Sequence, residues 1–171
     1  MQLTGKQIVD KQIITGYVHE GVQQQGIDVR LNRIAKVNAG NIGSKKFPVG
    51  VVPAEGKTTL PSSEWFAGQG DGEIFLKPGY YEVEFVEGCN IPEDCAMQFK
   101  TRSSLVRCGV DIRSGQFDAG FKTEHMGAYM KVELPMVIEM GARVAQTLIF
   151  RTEKVTNTYN GQWQEDKQRK G

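Results

Sequence analysis

The chain has 171 residues, enough for one hydrophobic core but short for two independent ones, so a single domain over 1–171 with one active-site system is expected. Lysine and arginine total 21 against 20 aspartates and glutamates, a net charge of +1, which gives no broad field for a long nucleic acid or an anionic membrane and leaves anion binding to local groupings. No apolar run approaches the ~20 residues that span a bilayer and the opening is too polar for a secretory signal, so the sequence reads as soluble and cytoplasmic, while Cys89, Cys95 and Cys108 form no CxxC pair and His19 and His125 lack the zinc-deaminase pattern.

Residues 4–15 read as a helix: Thr4 and Gln7 have capping-box spacing, Ile8, Val9 and Ile13 fall near one face, and Gly16 can end it. The piece QGIDVRL at 25–31 then sets Asp28 among apolar residues. Turn clusters follow at 38–43 (NAGNIG), 68–73 (GQGDGE), 77–79 (KPG) and 87–94 (EGCNIPED), cutting the chain into short segments. Between them the period is two. Tyr81, Val83 and Phe85 alternate with Glu82 and Glu84, and Val132, Leu134, Met136 and Ile138 alternate with Lys131, Glu133 and Glu139, as half-buried strands do. Many short strands argue for a sandwich, jelly roll or barrel, and the lack of a fixed repeat argues against a solenoid or propeller. The polar stretch 159–171 is expected to be a tail.

Three segments carry groups suited to chemistry. TRSSLVR at 101–107 gathers Arg102, Ser103, Ser104 and Arg107, charge-assisted donors of the kind a polyphosphate needs, although a capped turn with solvated arginines explains it equally. In SGQFDAGFK at 114–122, Asp118 lies between two aromatics; near a bound triphosphate an aspartate can orient and deprotonate a water, and in a Gly-rich hairpin it can equally be a turn former. GARVAQTLIF at 141–150 is a turn entering an apolar strand, with Arg143 and Gln146 as its polar members.

Together and in this order, these segments resemble the dUTPase and dCTP deaminase superfamily from near the first residue to the last. The opening MQLTGKQIVDKQIITGYV followed by QGIDVRL is similar to the deaminase-type entry, a short helix before a G-x-D-[LV]-R-L strand. FLKPGYYEVEFVEGCNIPEDCAMQFKTRSSLVRCGV resembles the central stretch that both branches share, ending in R-S-S-L. FDAGF stands where dUTPases have I-D-x-D-Y and deaminases I-D-P-G-W, and GARVAQTLIF resembles G-x-R-I-A-Q-L-I-F.

The resemblance implies an all-β, distorted jelly-roll (β-clip) subunit with one short N-terminal helix, assembled as a homotrimer whose active sites lie between subunits. It implies that Arg102, Ser103 and Ser104 bind the phosphates with Arg107 nearby, and that Asp118 orients the attacking water. It also implies that Phe121 packs against the deoxyribose and excludes a 2′-hydroxyl. The pyrimidine edge would be read by backbone groups of the hairpin at 109–121, Gly115 among them, with Asp28, Arg143 and Gln146 in support. The tail departs from the dUTPase ending R-G-x-G-G-F-G-S-T-G; YNGQWQ is similar to the deaminase-branch ending, which implies a lid of Tyr159, Trp163 and Gln164 over the nucleotide. Mg²⁺ would be held by the triphosphate and water, with no direct protein ligand.

Deaminases of this family need a glutamate ten residues after the motif aspartate, as general acid and base on a water attacking the pyrimidine C4. Counting from Asp118 gives Ala128, and aligning back from Pro135 and Gly141 gives Gly127; neither moves a proton. Glu124 and Glu133 are the nearest carboxylates in sequence, and reaching the base would take a register slip. Proton transfer by a placed side chain is commonly worth ~10²–10⁴ in rate. The expected reaction is therefore hydrolysis of dUTP to dUMP and pyrophosphate. The alternatives are dCTP deamination, alone or combined with dUTP hydrolysis, and a non-catalytic nucleotide-binding jelly roll.

Overall fold

The computed structural model describes residues 1–37, 63–68, 70–161 and 164. Their elements in chain order are α1 (Gly5–Asp10), β1 (Ile14–Thr15), β2 (Val22–Gln23), β3 (Gly26–Val37), β4 (Ser63–Gly68), β5 (Glu73–Leu76), β6 (Gly79–Phe85), β7 (Gly88–Asn90), β8 (Cys95–Thr101), α2 (Ser103–Arg107), β9 (Val110–Arg113), β10 (Lys122–Thr123), β11 (Gly127–Val132), β12 (Met136–Glu139) and β13 (Arg143–Arg151). The main sheet runs β8-β13-β3-β6-β11-β9, with β2 and β4 also pairing with β3; β1-β7-β10 and β12-β5 form two smaller sheets. An all-β fold with short helices is thus observed. No helix of the described residues is long and apolar enough to cross a membrane.

Strand β3 is central because its side chains find cover on both faces: Ile27, Val29 and Leu31 are buried and so is Asp28 between them. Across from it, Tyr81, Val83 and Phe85 of β6 turn inward as their alternation predicts. Phe85, Phe99, Phe117, Phe121 and Tyr159 then form a run of edge-to-face ring pairs, with centroids 4.8 to 5.3 Å apart, leading from the core to the tail. Glu87, fully buried, accepts at 2.7 Å from both the N–H and Nε of Arg30, and Arg30 Nη2 donates to the Gly16 carbonyl at 2.7 Å, so the charge is paired and ties the first turn to β3.

Helix α1 carries the expected capping box, with Gln7 N–H donating to Thr4 Oγ1 at 3.3 Å and Thr4 N–H donating to Gln7 Oε1 at 2.9 Å. It stops at Asp10 rather than at 15. Gln12 takes a positive φ of 52°, and Ile14 then pairs with Cys89 of β7, a tertiary partner that no local signal announces. The single strand expected over 132–138 is divided: β11 ends at Val132, Leu134 is exposed, and β12 begins at Met136, because Pro135 has no N–H for a ladder. The cluster at 87–94 contains strand β7 as well as turns, and 103–107 form a short helix. The cluster at 38–43 lies outside the described residues.

Candidate active site

The segment between β9 and β11 reaches β8, an edge strand of the main sheet. Phe117 exchanges both backbone hydrogen bonds with Met97 of β8, at 2.8 and 3.0 Å. Residues 118–121 then form a tight turn in which the Phe121 N–H donates to the Asp118 carbonyl at 3.0 Å. Gly120 has φ +83°, the left-handed value that a type II turn requires at its third residue, and a Cβ there would meet Thr158 Cβ at 2.6 Å. Asp118 is therefore a turn former and an exposed carboxylate at once, with Gln116 Nε2 3.5 Å from its Oδ1.

Beside this turn lies a cavity of about 460 Å³, within the range of small-ligand sites. Ser114, Gly115, Gln116 and Phe117 line it just ahead of the turn, Phe121 lines it from the turn itself while Asp118 does not, and Tyr159 contributes from the tail. The sheet contributes Arg33, Trp65, Glu82, Val83, Glu84, Gly127, Ala128 and Tyr129, with Thr123 and His125 from the approach to β11. Phe121 is 8% exposed, its ring 5.3 Å from those of Phe117 and Tyr159.

Gly127 and Ala128, the two positions at which a deaminase glutamate would stand, both line this cavity. Glu124 and Glu133, the acids nearest in sequence, do not; Glu133 Oε1 pairs instead with Lys131 Nζ at 2.5 Å. The carboxylates brought there are Glu82 and Glu84, through the register that sets Glu84 opposite Gly127 and Glu82 opposite Tyr129. Glu84 accepts three N–H bonds: Arg33 Nε and Asn32 Nδ2 to Oε1, both 2.9 Å, and Arg33 Nη2 to Oε2, 2.8 Å. The guanidinium also stacks 4.1 Å from the centroid of the Trp65 ring. Hydrogen bonding to Glu84 holds the Arg33 pKa above its ordinary value. Sequence reasoning missed this wall. Its only local trace is the alternation that puts Glu82 and Glu84 on one face of β6.

A second group gathers at the other end of β8. Gln146 lies directly opposite Asp28 in the β13/β3 ladder and donates from Nε2 to Asp28 Oδ1 at 3.4 Å. Arg102 Nε stands 3.2 Å and Arg143 Nη1 3.5 Å from Asp28 Oδ2, which accepts no well-formed hydrogen bond. Arg102 Nη1 donates to the Arg143 carbonyl at 3.1 Å, and Arg143 Nη1 donates to the Glu20 carbonyl at 2.5 Å. Burial pushes the Asp28 carboxyl above its ordinary value, against the pull of the two guanidinium groups and Gln146. Ser103, Ser104 and Arg107 are exposed on α2. Met97, which meets Phe117, and Thr101, which precedes Arg102, are four residues apart on β8, roughly 13 Å of strand. Within one chain the expected phosphate ligands and the cavity thus form separate groups.

The tail returns to the turn. Tyr159 N–H donates to the Ala119 carbonyl at 2.7 Å, Gln164 Nε2 donates to the Gly120 carbonyl at 3.0 Å, and Lys122 N–H donates to Gln164 Oε1 at 3.2 Å. Trp163 lies outside the described residues.

A family model described as dCTP deaminase-like matches residues 2–152. The chain belongs to this family, within the dUTPase and dCTP deaminase superfamily. The match stops before the docked tail. Among relatives, the chain is 31% identical over 145 residues to the deoxyuridine 5′-triphosphate nucleotidohydrolase of Methanocaldococcus jannaschii, covering 83% of this chain and 86% of that protein. It is 29% identical over 168 residues to the probable enzyme of the same name from Aeropyrum pernix, covering 96% and 98%. The crystal structure of 2′-deoxycytidine 5′-triphosphate deaminase from Agrobacterium tumefaciens superposes with a TM-score of 0.61 at 16% identity, over 86% of this chain and 47% of that one. That likeness is one of fold, and this chain spans about half of that protein.

Proposed function

We propose that this protein is a dUTP diphosphatase, releasing dUMP and pyrophosphate. The observation that carries this reading is that the cavity meets Gly127 and Ala128 where deamination would need an acid, while the carboxylate across the ladder, Glu84, is committed to Arg33 and Asn32. The names of the M. jannaschii and A. pernix relatives point the same way.

In the proposed reaction Asp118 orients a water that attacks the α-phosphorus; a P–O bond to water forms, the bond to the bridging oxygen of the leaving pyrophosphate breaks, and the water's proton passes to the carboxylate. Phe121 walls the deoxyribose and the backbone at Gly115 meets the base. Arg102, Ser103, Ser104 and Arg107 hold the triphosphate, with Arg102 positioned by Asp28, Arg143 and Gln146. The separation of the phosphate group from the cavity within one chain supports a homotrimer in which neighbouring subunits complete each site. Tyr159, Trp163 and Gln164 would form the lid. The Mg²⁺ of the proposal is assigned to the triphosphate and water, where a hard cation keeps its hydration shell and offsets phosphate charge.

Deamination of dCTP is the second reading, favoured by Glu82 and Glu84 on the same cavity wall. Incubating the purified chain with dUTP and with dCTP, each with Mg²⁺, and separating the products decides between them. Pyrophosphate and dUMP from dUTP are expected, with dCTP left intact; dUTP or dUMP appearing from dCTP would overturn the choice. Asp118→Asn should lower turnover by roughly 10²-fold or more while nucleotide still binds.

A further inference from the structure

The cavity contains a titratable side chain to which the proposed reaction gives no part. His125 sits on its wall between Phe121 and Gly127. Its Nδ1 lies 3.1 Å from the Phe85 carbonyl oxygen and 3.2 Å from that of Val86. Carbonyl oxygens only accept, so Nδ1 carries a proton and the acceptor position of this imidazole tautomer is Nε2. The backbone here is fastened as well: Thr123 Oγ1 donates to the His125 carbonyl at 2.9 Å, and the Met126 N–H donates to the Glu87 carbonyl at 2.9 Å. Two other polar groups of the wall are spent, Glu84 on Arg33 and Asn32, and the Thr123 hydroxyl on His125 itself.

We propose that Nε2 of His125 reads the pyrimidine edge, accepting from the N3–H of uracil and so selecting uracil over cytosine. This rests on the reading that the nucleoside occupies the cavity. Uracil has a hydrogen at N3 and cytosine a lone pair. An acceptor of fixed tautomer meets a donor in the first case; in the second, two lone pairs face each other, a mismatch that costs more than a missing contact. The selection comes from a side chain, in addition to any backbone groups of the turn.

The test uses the full-length chain, with the KM for dUTP set against the inhibition constant of dCTP. In His125→Asn the amide can still reach the Phe85 and Val86 carbonyls but leaves no atom at Nε2. It should raise the KM for dUTP and narrow the uracil preference by about tenfold each while kcat stays within about threefold, because the lost contact serves ground and transition states alike. His125→Gln, whose carboxamide reaches further, should recover part of the preference. Unchanged KM and preference in His125→Asn would overturn the proposal. A measurement free of substitution follows the Nε2 nitrogen resonance of ¹⁵N-histidine-labelled wild type: dUMP should shift it and pyrophosphate should not. A resonance unmoved by dUMP also overturns the proposal. A wild type that leaves dUTP intact sinks the hydrolase instead, and the dUMP shift then still decides the role of His125.

Discussion

Gln164 clasps the backbone on either side of Phe121 as a strand would, its Nε2 donating to the Gly120 carbonyl at 3.0 Å while its Oε1 accepts from the Lys122 N–H at 3.2 Å. A side-chain amide thus stands in for a peptide group and fastens the tail to the turn carrying Asp118 and Phe121. A tail released from this turn would expose Phe121, whose ring packs against Tyr159.

Gly120→Ala should release it. The position has φ +83°, which costs a non-glycine residue about 1 kcal/mol or more, and the added methyl would meet Thr158 at 2.6 Å. Amide exchange at Tyr159, whose N–H donates to Ala119, should quicken, and kcat/KM for dUTP should fall by roughly tenfold, the equivalent of about 1.4 kcal/mol. Unchanged exchange at Tyr159 would show that the tail does not depend on this contact.

Phe121 is both a core residue and the expected sugar wall. Removing its ring entirely would cost about 3–5 kcal/mol, so Phe121→Leu is the better probe. It should keep the fold with a modest drop in Tm and admit UTP, so that the ratio of dUTP to UTP turnover narrows. An unaltered ratio would remove Phe121 from ribose exclusion.

Asp28 gives a pH signature whose sign is fixed by burial. Its folded pKa lies above the ordinary 3.8, so the folded state binds the proton more tightly than the unfolded chain does. Its contribution to stability is therefore greatest at low pH, declines as pH rises from about 3.8 through the raised value, and is level beyond. In Asp28→Asn the amide does not titrate, so the Tm of the variant relative to wild type should improve between pH 4 and pH 7. The KM for dUTP should nevertheless rise at pH 7, because Arg102 loses its anchor. A relative Tm that worsens over the same interval would mean that the two arginines outweigh burial.

The cysteines should separate by accessibility. Burial, reinforced by Asp94, pushes the Cys95 thiol up to about 11, and Cys89 is also buried, whereas Cys108 is exposed after α2. A thiol reagent at pH 8 should titrate one group in the native protein and three after unfolding, and Cys108→Ser should abolish the native reaction. Rapid modification of Cys95 in the folded state would contradict its placement on β8.

Capping at Thr4 and Gln7, the period-two faces of β6 and the motif segments were legible because each depends on neighbours a few residues apart, whose geometry the backbone fixes locally. Where α1 stops was not legible, because Ile14 leaves the helix pattern to pair with Cys89, across a loop that no local pattern encodes. The same holds for the candidate site. The sequence marked Arg102, Asp118, Phe121 and Gln146 as residues for chemistry, whereas only cross-strand register placed Glu84 opposite Gly127, brought Arg102 and Arg143 to Asp28, and set His125 beside the cavity. Residue type and spacing are local properties of the chain; which side chains share a wall is decided by how distant strands align, and that alignment is a product of packing the whole core.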